Sequence, residues 1–298
     1  MKGCAEDDPQ RLVTSGDLIS LVREIGFLPL FESGIAGFSV EERTTAASWW
    51  TGDRDTDPWE WRIILSAHPE IAYGKFFDKK AGFIHKDFFP VFANYRRNGY
   101  DFEALFDDEL ASYRAKKIMD AFELNDEAVG KEIMSNELKE LAGFGKNSGE
   151  KNFSGILTDL QMQTYLIMSD FRQRKNKKGE SYGWHIAVMK TPETKWEYDY
   201  VTSAYSESPA DSWEKIVSQV RRFYPDADET KIQKLLGIKY HGAESQPAKD
   251  KKKTAQKSKQ STLTYPYNLL KDISDDIPVY RIPLIKIRRK ACGMLFPR

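Results

Sequence analysis

Residues 135–191 read SNELKELAGFGKNSGEKNFSGILTDLQMQTYLIMSDFRQRKNKKGESYGWHIAVMKT, and the interpretation of the whole chain depends on this stretch. Ser135 opens a first predicted helix, and Gly143 follows where a left-handed C-cap is expected. A Gly-rich connector leads to a longer predicted helix from Ser154 to about Met168. A basic hairpin comes last. Helix, connector, helix and hairpin in this order are typical of a winged helix-turn-helix.

The second predicted helix has one apolar stripe and one polar side. Leu157, Leu160 and Met168 form the stripe. A helix that turns polar amides outward can lie in a major groove of DNA, where glutamine pairs well with adenine. The predicted outer side carries Thr158, Asp159, Gln161 and Ser169, with Gln163 at its edge.

The hairpin concentrates positive charge. The segment FRQRKNKK at residues 171–178 contains no acid, and its return strand places Trp184, Ile186 and Val188 on one face. A loop with many cations suits DNA phosphates. The alternative is an ordinary solvated loop, since lysine and arginine prefer surfaces. The predicted phosphate contacts are Arg172, Arg174, Lys175, Lys177 and Lys178.

Composition restricts the remaining possibilities. The 298 residues contain 45 Lys and Arg against 45 Asp and Glu, so overall charge identifies no partner. Cys4 and Cys292 are the only cysteines, which favours a reducing compartment. No apolar run is long enough for a membrane span, and the expected location is cytoplasmic. The histidines are scattered, so we expect no metal site. No phosphate-binding glycine loop occurs, and we expect no cofactor. We also expect no membrane contact.

The chain before this stretch predicts a similar unit. Residues 39–50 are predicted to form a helix that a Ser39–Glu42 capping box opens. Two aromatic strands between residues 71 and 84 then flank a turn that contains Lys79 and Lys80, which we also expect to contact phosphates. We therefore predict four parts, which are a winged-helix-like unit at 1–115, a winged-helix domain with trailing helices at 116–241, a Lys-rich flexible linker at 242–262 and a short C-terminal segment at 263–298.

Several strings resemble the AlkZ-like winged-helix proteins, and most closely their AlkZ-related branch. They are WEWRIIL at 59–65, ELKELAGFGK at 137–146, LQMQTYL at 160–166 and YGWHIAV at 182–188, within about residues 15–225. The resemblance implies tandem winged helices that form a concave surface for double-stranded DNA. It also implies a glutamine–apolar–glutamine motif that positions the attacking water in DNA glycosylases, carried here by Gln161 and Gln163.

The sequence thus predicts a mainly helical α+β protein with tandem winged-helix-like units and small β-hairpins. Three functions stay open at this stage. The first is DNA binding related to repair, with excision of alkylated bases by a monofunctional glycosylase. An amide pair cannot act as a general base, so it suits only labile, cationic lesions. The second is a non-catalytic winged-helix regulator that reads base edges, and the third is a winged-helix module that binds proteins.

Overall fold

The two predicted hairpins belong to one antiparallel sheet. The structure is a computed structural model that describes residues 3–123, 132–145, 149–176 and 178–237. Its strands are β1 (Phe27–Pro29), β2 (Ile71–Phe77), β3 (Lys80–His85), β4 (Ile133–Met134), β5 (Ile167–Lys175) and β6 (Ser181–Lys190). They lie in the order β1-β3-β2-β5-β6-β4, and every neighbouring pair is antiparallel.

Helices pack against this sheet and against each other. Those described are α1 (Ser15–Ile25), α2 (Pro58–Ala67), α3 (Phe89–Arg97), α4 (Phe102–Asp107), α5 (Tyr113–Glu123), α6 (Ser135–Leu141), α7 (Phe153–Met162), α8 (Pro192–Trp196), α9 (Tyr198–Val201), α10 (Pro209–Phe223) and α11 (Glu229–Leu236). Helix α2 contacts β2 and β5, α7 contacts β2, and α10 contacts α3. The predicted mixture of helices and antiparallel hairpins is confirmed. The winged-helix arrangement and the division at residue 115 stay predictions.

Aromatic packing around Phe27 forms one part of the core. Its ring makes edge contacts with Phe38, Phe88 and Phe92 at centroid distances of 5.9, 5.6 and 4.9 Å. Gly26 precedes it with φ of 90°, and a Cβ atom there would lie 2.3 Å from the Phe88 ring. Glycine is therefore required both to end α1 and to admit Phe88.

The pairing of β2 with β5 decides where the two hairpin turns lie. Tyr73 is the register partner of Met168, and the strands run in opposite directions. The β2–β3 turn and the β5–β6 turn therefore lie at opposite ends of the sheet. Lys79 is six residues beyond Tyr73, and Arg174 is six residues beyond Met168 in the other direction. At about 3.3 Å per residue, regular strands would place the two about 40 Å apart, and the bulges in these strands shorten that separation.

Two predicted helices are wrong in extent. Residues 39–50 form only two short 3₁₀ turns, Glu41–Arg43 and Ala46–Ser48. The Ser39–Glu42 capping interaction does form, but Glu41 accepts a 3.0 Å hydrogen bond from the Glu32 amide and so joins this segment to the chain after β1. The helix predicted to reach Met168 ends at Met162, and Met168 lies in β5.

Three predictions fall outside the residues that the structure describes. They concern the phosphate contact of Lys177, the linker at 242–262 and the segment at 263–298.

Candidate nucleic-acid interface

A polar turn closes the β5–β6 hairpin. The Asn176 side-chain oxygen accepts hydrogen bonds from the amides of Lys178 and Glu180 at 2.9 and 3.0 Å. The Asn176 side-chain nitrogen donates to the Glu180 carboxylate at 2.8 Å. Asparagine commonly folds turns by bonding to the main chain two or more residues ahead. The Glu180 carboxylate is thus bonded to an amide, and it forms no ion pair with the neighbouring cations among the described residues.

The predicted phosphate contacts divide into two groups. Arg174, Lys175 and Lys178 are exposed, and none of them forms an ion pair among the described residues. Arg172 instead forms ion pairs with Asp170 and Glu132. Partial burial lowers the pKa of Arg172, but these two carboxylates outweigh that effect and raise it. The outer half of the hairpin therefore carries a net positive charge, because Arg174, Lys175 and Lys178 outnumber Glu180 there, whereas the charge of Arg172 is already balanced.

Two aromatic side chains accompany these cations. Trp184 is 93% exposed and Tyr182 is 49% exposed. Arg174 pairs with Tyr182 and Arg172 pairs with Ile186, so three residues of β6 lie opposite the single residue Gln173. Such a bulge bends a strand and redirects its side chains. Trp184 lies within this bulge and is exposed, whereas Val188 is buried, and the predicted common face of Trp184, Ile186 and Val188 stays a prediction.

A buried cation lies near the inner part of the same hairpin. The guanidinium of Arg62, which is 5% exposed, lies 3.9 Å from the Trp59 ring centroid and 4.3 Å from that of Phe171. Burial lowers the pKa of Arg62. Its Nε and Nη1 atoms are buried and have no hydrogen-bond partner in the described part of the chain. Cation–π contacts with both rings join α2 to β5 at the point where the hairpin leaves the body.

The lysines of the β2–β3 turn occupy a different environment. Asp78 and Lys79 both have positive φ angles, as a two-residue hairpin turn requires. The Lys79 ammonium lies 3.7 Å from the Asp159 carboxylate. Lys80 Nζ donates to the main-chain oxygen of Glu32 at 3.2 Å. Both lysines contact this end of the body, far from the outer β5–β6 hairpin, and their predicted phosphate contacts stay a prediction.

The glutamine pair lies at the end of α7. Gln161 is 1% exposed, accepts a 3.1 Å hydrogen bond from the amide of Lys75 and donates a 2.9 Å one to the Leu157 carbonyl. Thr158 is also buried, and its hydroxyl donates to the Ser154 carbonyl at 2.8 Å. This face packs on β2, so the predicted outward placement of Thr158 and Gln161 is wrong. Gln163 is half-buried. The catalytic roles of both glutamines stay predictions.

Two buried arginines donate hydrogen bonds to the turn at the end of α7, next to the glutamine pair. Arg96 donates from Nη1 to the Met162 carbonyl at 3.0 Å, and Arg97 donates from Nη2 to the Thr164 carbonyl at 2.7 Å. Cations stabilise helix C-termini, where carbonyl groups lack partners within the helix. Thr164 adopts a positive φ of 65°, which few non-glycine residues do. The arginines thus stabilise the turn that ends α7 and starts β5.

Sequence reasoning missed two features of the interface. The first is the exposure of Trp184, for which Gly183 was an available signal, because a glycine inside a strand pattern often marks a bulge. The second is the neutralisation of Arg172 by Glu132, which is 40 residues earlier in the chain. No local pattern indicates that contact, since it depends on the pairing of β4 with β6.

No group of three or more His, Cys, Asp or Glu side chains among the described residues could hold a metal ion. No helix in the described ranges is both long enough and apolar enough to cross a membrane.

A search of curated proteins finds no match. A structure search matches the chain to a solved structure of a DNA glycosylase, AlkZ, from Streptomyces sahachiroi, with 10% sequence identity and a TM-score of 0.36. That likeness covers 76% of this chain and 60% of the glycosylase chain. A family model described as AlkZ related matches residues 12–237, which is most of the chain. The chain therefore belongs to the AlkZ-related family.

Proposed function

We propose that this protein binds double-stranded DNA through the outer half of the β5–β6 hairpin. The observation that carries the proposal is the group of exposed cations Arg174, Lys175 and Lys178, which have no acidic partner among the described residues. Each cation that meets a phosphate releases a condensed counterion, which drives association. A two-stranded β-ribbon also has the width to enter a DNA groove. Membership of a family named after a DNA glycosylase favours DNA over other polyanions.

The salt dependence of DNA binding tests this proposal. We expect the logarithm of the association constant for a fully paired duplex of about 20 base pairs to fall linearly with the logarithm of the salt concentration. Replacing Arg174, Lys175 and Lys178 together by glutamine should weaken binding and reduce the slope by about 2 to 3. Arg172→Gln is the matched control on the same hairpin, and it should change the slope little because Arg172 is already paired. Equal slopes for wild type and the triple variant would contradict the proposal.

A role in DNA repair, with excision of alkylated bases, is a further part of the proposal. It is supported by the family and by the Gln161–Met162–Gln163 motif. Cationic alkylated bases leave readily, so an amide that holds a water and a polar environment for the sugar cation can suffice. Gln163 is the better placed of the pair to meet a ligand, since Gln161 is buried and bonded to main-chain groups.

Release of free base from methylated duplex DNA tests excision. Loss of release in Gln163→Ala, with stability and DNA affinity unchanged, would support a catalytic role for that residue. Release that persists in Gln163→Ala would keep the enzyme and exclude this residue. If wild type binds duplex and releases no base, the regulator becomes the leading function, and a preference for one duplex sequence is then expected.

A further inference from the structure

Trp184 has an exposure that packing does not explain. Among the described residues it is the most exposed of the large apolar side chains, at 93%. Tryptophan offers a large apolar surface that folded proteins normally cover. Scattered exposed apolar residues are ordinary, but this one is accompanied by Tyr182 at 49% exposure on the same strand. Two exposed rings and three cations thus share one end of one hairpin.

The backbone holds Trp184 in this exposed position. Gly183 has a φ of 77°, and the Gln173 side-chain nitrogen donates to its carbonyl at 3.0 Å. This hydrogen bond crosses from β5 to the first residue of the bulge in β6. The side chain of Trp184 is therefore presented by a local structure with a positive-φ glycine and its own cross-strand bond. Bulges of this kind often re-aim a side chain toward a functional site.

The cations beside the rings indicate the partner. Arg174 lies directly across from Tyr182, and Lys175 lies across from Ser181. Proteins that bind unpaired nucleotides combine cations, which follow the phosphates, with aromatic rings on which bases stack. Stacking accepts any base, because every base has an aromatic face. An anionic lipid surface also attracts lysine and tryptophan, but it requires a broad apolar face, whereas this hairpin offers two rings.

We propose that Trp184, assisted by Tyr182, stacks on an unpaired base in a DNA duplex while Arg174, Lys175 and Lys178 hold the adjacent phosphates. This inference rests on the proposed function and deepens it, since it names duplexes with an unpaired base as the preferred partner. The cations supply affinity for any duplex. Trp184 supplies the preference for a duplex in which a base is free to stack.

Two duplexes that differ in one position test the inference. Both have about 20 base pairs, and one carries a single additional unpaired base. We expect wild type to bind the second duplex about tenfold more tightly, since stacking of the unpaired base on an aromatic ring adds to the affinity. Trp184→Ala should reduce this ratio to about one and keep the affinity for the fully paired duplex. Trp184→Phe should retain much of the ratio, because a ring remains.

Control measurements separate the possible failures. Trp50 is 61% exposed and lies outside the hairpin, so Trp50→Ala should leave the ratio unchanged. A wild-type ratio of one, or a ratio that survives Trp184→Ala, would overturn the inference and leave the proposed function intact. Absence of binding to either duplex would overturn both. Binding to phosphatidylglycerol vesicles that Trp184→Ala abolishes, without any preference between the duplexes, would overturn the inference in favour of a membrane partner.

Discussion

Arg97 donates a 2.7 Å hydrogen bond from Nη2 to the main-chain oxygen of Thr164, the residue that follows the glutamine pair. The same guanidinium donates to Glu193 at 2.5 Å and contacts the face of the Tyr165 ring. Burial lowers the pKa of Arg97, but Glu193 together with Tyr205 and Tyr165 outweighs that effect and raises it. Arg97 therefore joins α3, α8 and the turn between α7 and β5 in one buried contact.

Removal of Arg97 should destabilise the protein strongly. Arg97→Ala leaves a buried carbonyl and a mostly buried carboxylate without their partner, and we expect the free energy of unfolding to fall by about 3 kcal/mol. Urea unfolding followed by circular dichroism measures the change. Arg23→Ala is a control, because its ion pair with Glu70 is partly exposed and should contribute about 0 to 1 kcal/mol. A loss below about 1 kcal/mol for Arg97→Ala would contradict this account.

Substitutions of the two glutamines should change the free energy of unfolding by different amounts. Gln161→Ala removes the acceptor of the partly buried Lys75 amide, which should lower the free energy of unfolding by about 1 to 3 kcal/mol. Gln163→Ala should cost less than about 0.5 kcal/mol, because no described residue bonds to its side chain. A variant that carries both substitutions would thus test catalysis poorly, since loss of activity could reflect unfolding. Equal, small effects of both substitutions would contradict a structural role for Gln161.

Replacement of Arg62 by methionine should be neutral or stabilising. Arg62 is a buried cation with no acidic partner among the described residues, and a methionine can occupy the space between the two rings. Substituting apolar side chains for buried charges often stabilises a protein by about 1 to 4 kcal/mol. Thermal unfolding of Arg62→Met measures this effect, with Arg62→Ala as the destabilising comparison because it leaves a cavity. A melting temperature that falls equally in both variants would show that the charge itself stabilises the fold.

The stability of the protein should decrease below neutral pH because of His85. Burial lowers the pKa of His85, and the nearby positive charges of Arg23 and Lys86 lower it further. The negative charges of Asp87 and Glu70 raise it, but they do not outweigh burial. The unfolded chain therefore binds a proton at His85 more readily than the folded chain does. The contribution of neutral His85 to the free energy of unfolding is fully present above the unfolded pKa of about 6.5, and it is lost as the pH falls through the lower pKa of the folded state.

Urea unfolding between about pH 7.5 and 5.5 measures this dependence. Glu70 stays ionised over that window, because hydrogen bonds from Arg23 and Lys86 lower its pKa to about 2. His85→Gln should show a shallower decline than wild type. A decline of the same steepness in both proteins would assign the pH dependence to other groups.

Local chemistry made part of the fold predictable from sequence. Ser208 and Pro209 open α10 as a cap and a first-turn proline, and Gly26 ends α1. Both hairpins also follow from alternating apolar residues and polar turns. The end of α7 was not predictable, because Arg96 and Arg97 are more than 60 residues away from the carbonyls that they bind.

The interface was predictable in its charge and not in its arrangement. The cluster of cations at 171–178 is visible in the sequence, but the ion pairs of Arg172 and the exposure of Trp184 depend on strand pairing and on a bulge. The relative position of the two hairpin turns also depends on strand pairing. Similar patterns with lysine at each turn suggest equivalent roles, whereas the antiparallel pairing of Tyr73 with Met168 places the turns at opposite ends of the sheet.

That opposition permits the most direct test of the central claim, which is that DNA binds at the outer β5–β6 hairpin. The measurement is the affinity for one fully paired duplex, by fluorescence anisotropy at about 100 mM salt. The proteins compared are wild type, Arg174→Gln/Lys175→Gln and the charge-matched Lys79→Gln/Lys80→Gln. We predict a loss of about tenfold or more for the first variant and a clearly smaller loss for the second. Equal losses, or a larger loss for the second variant, would contradict the claim.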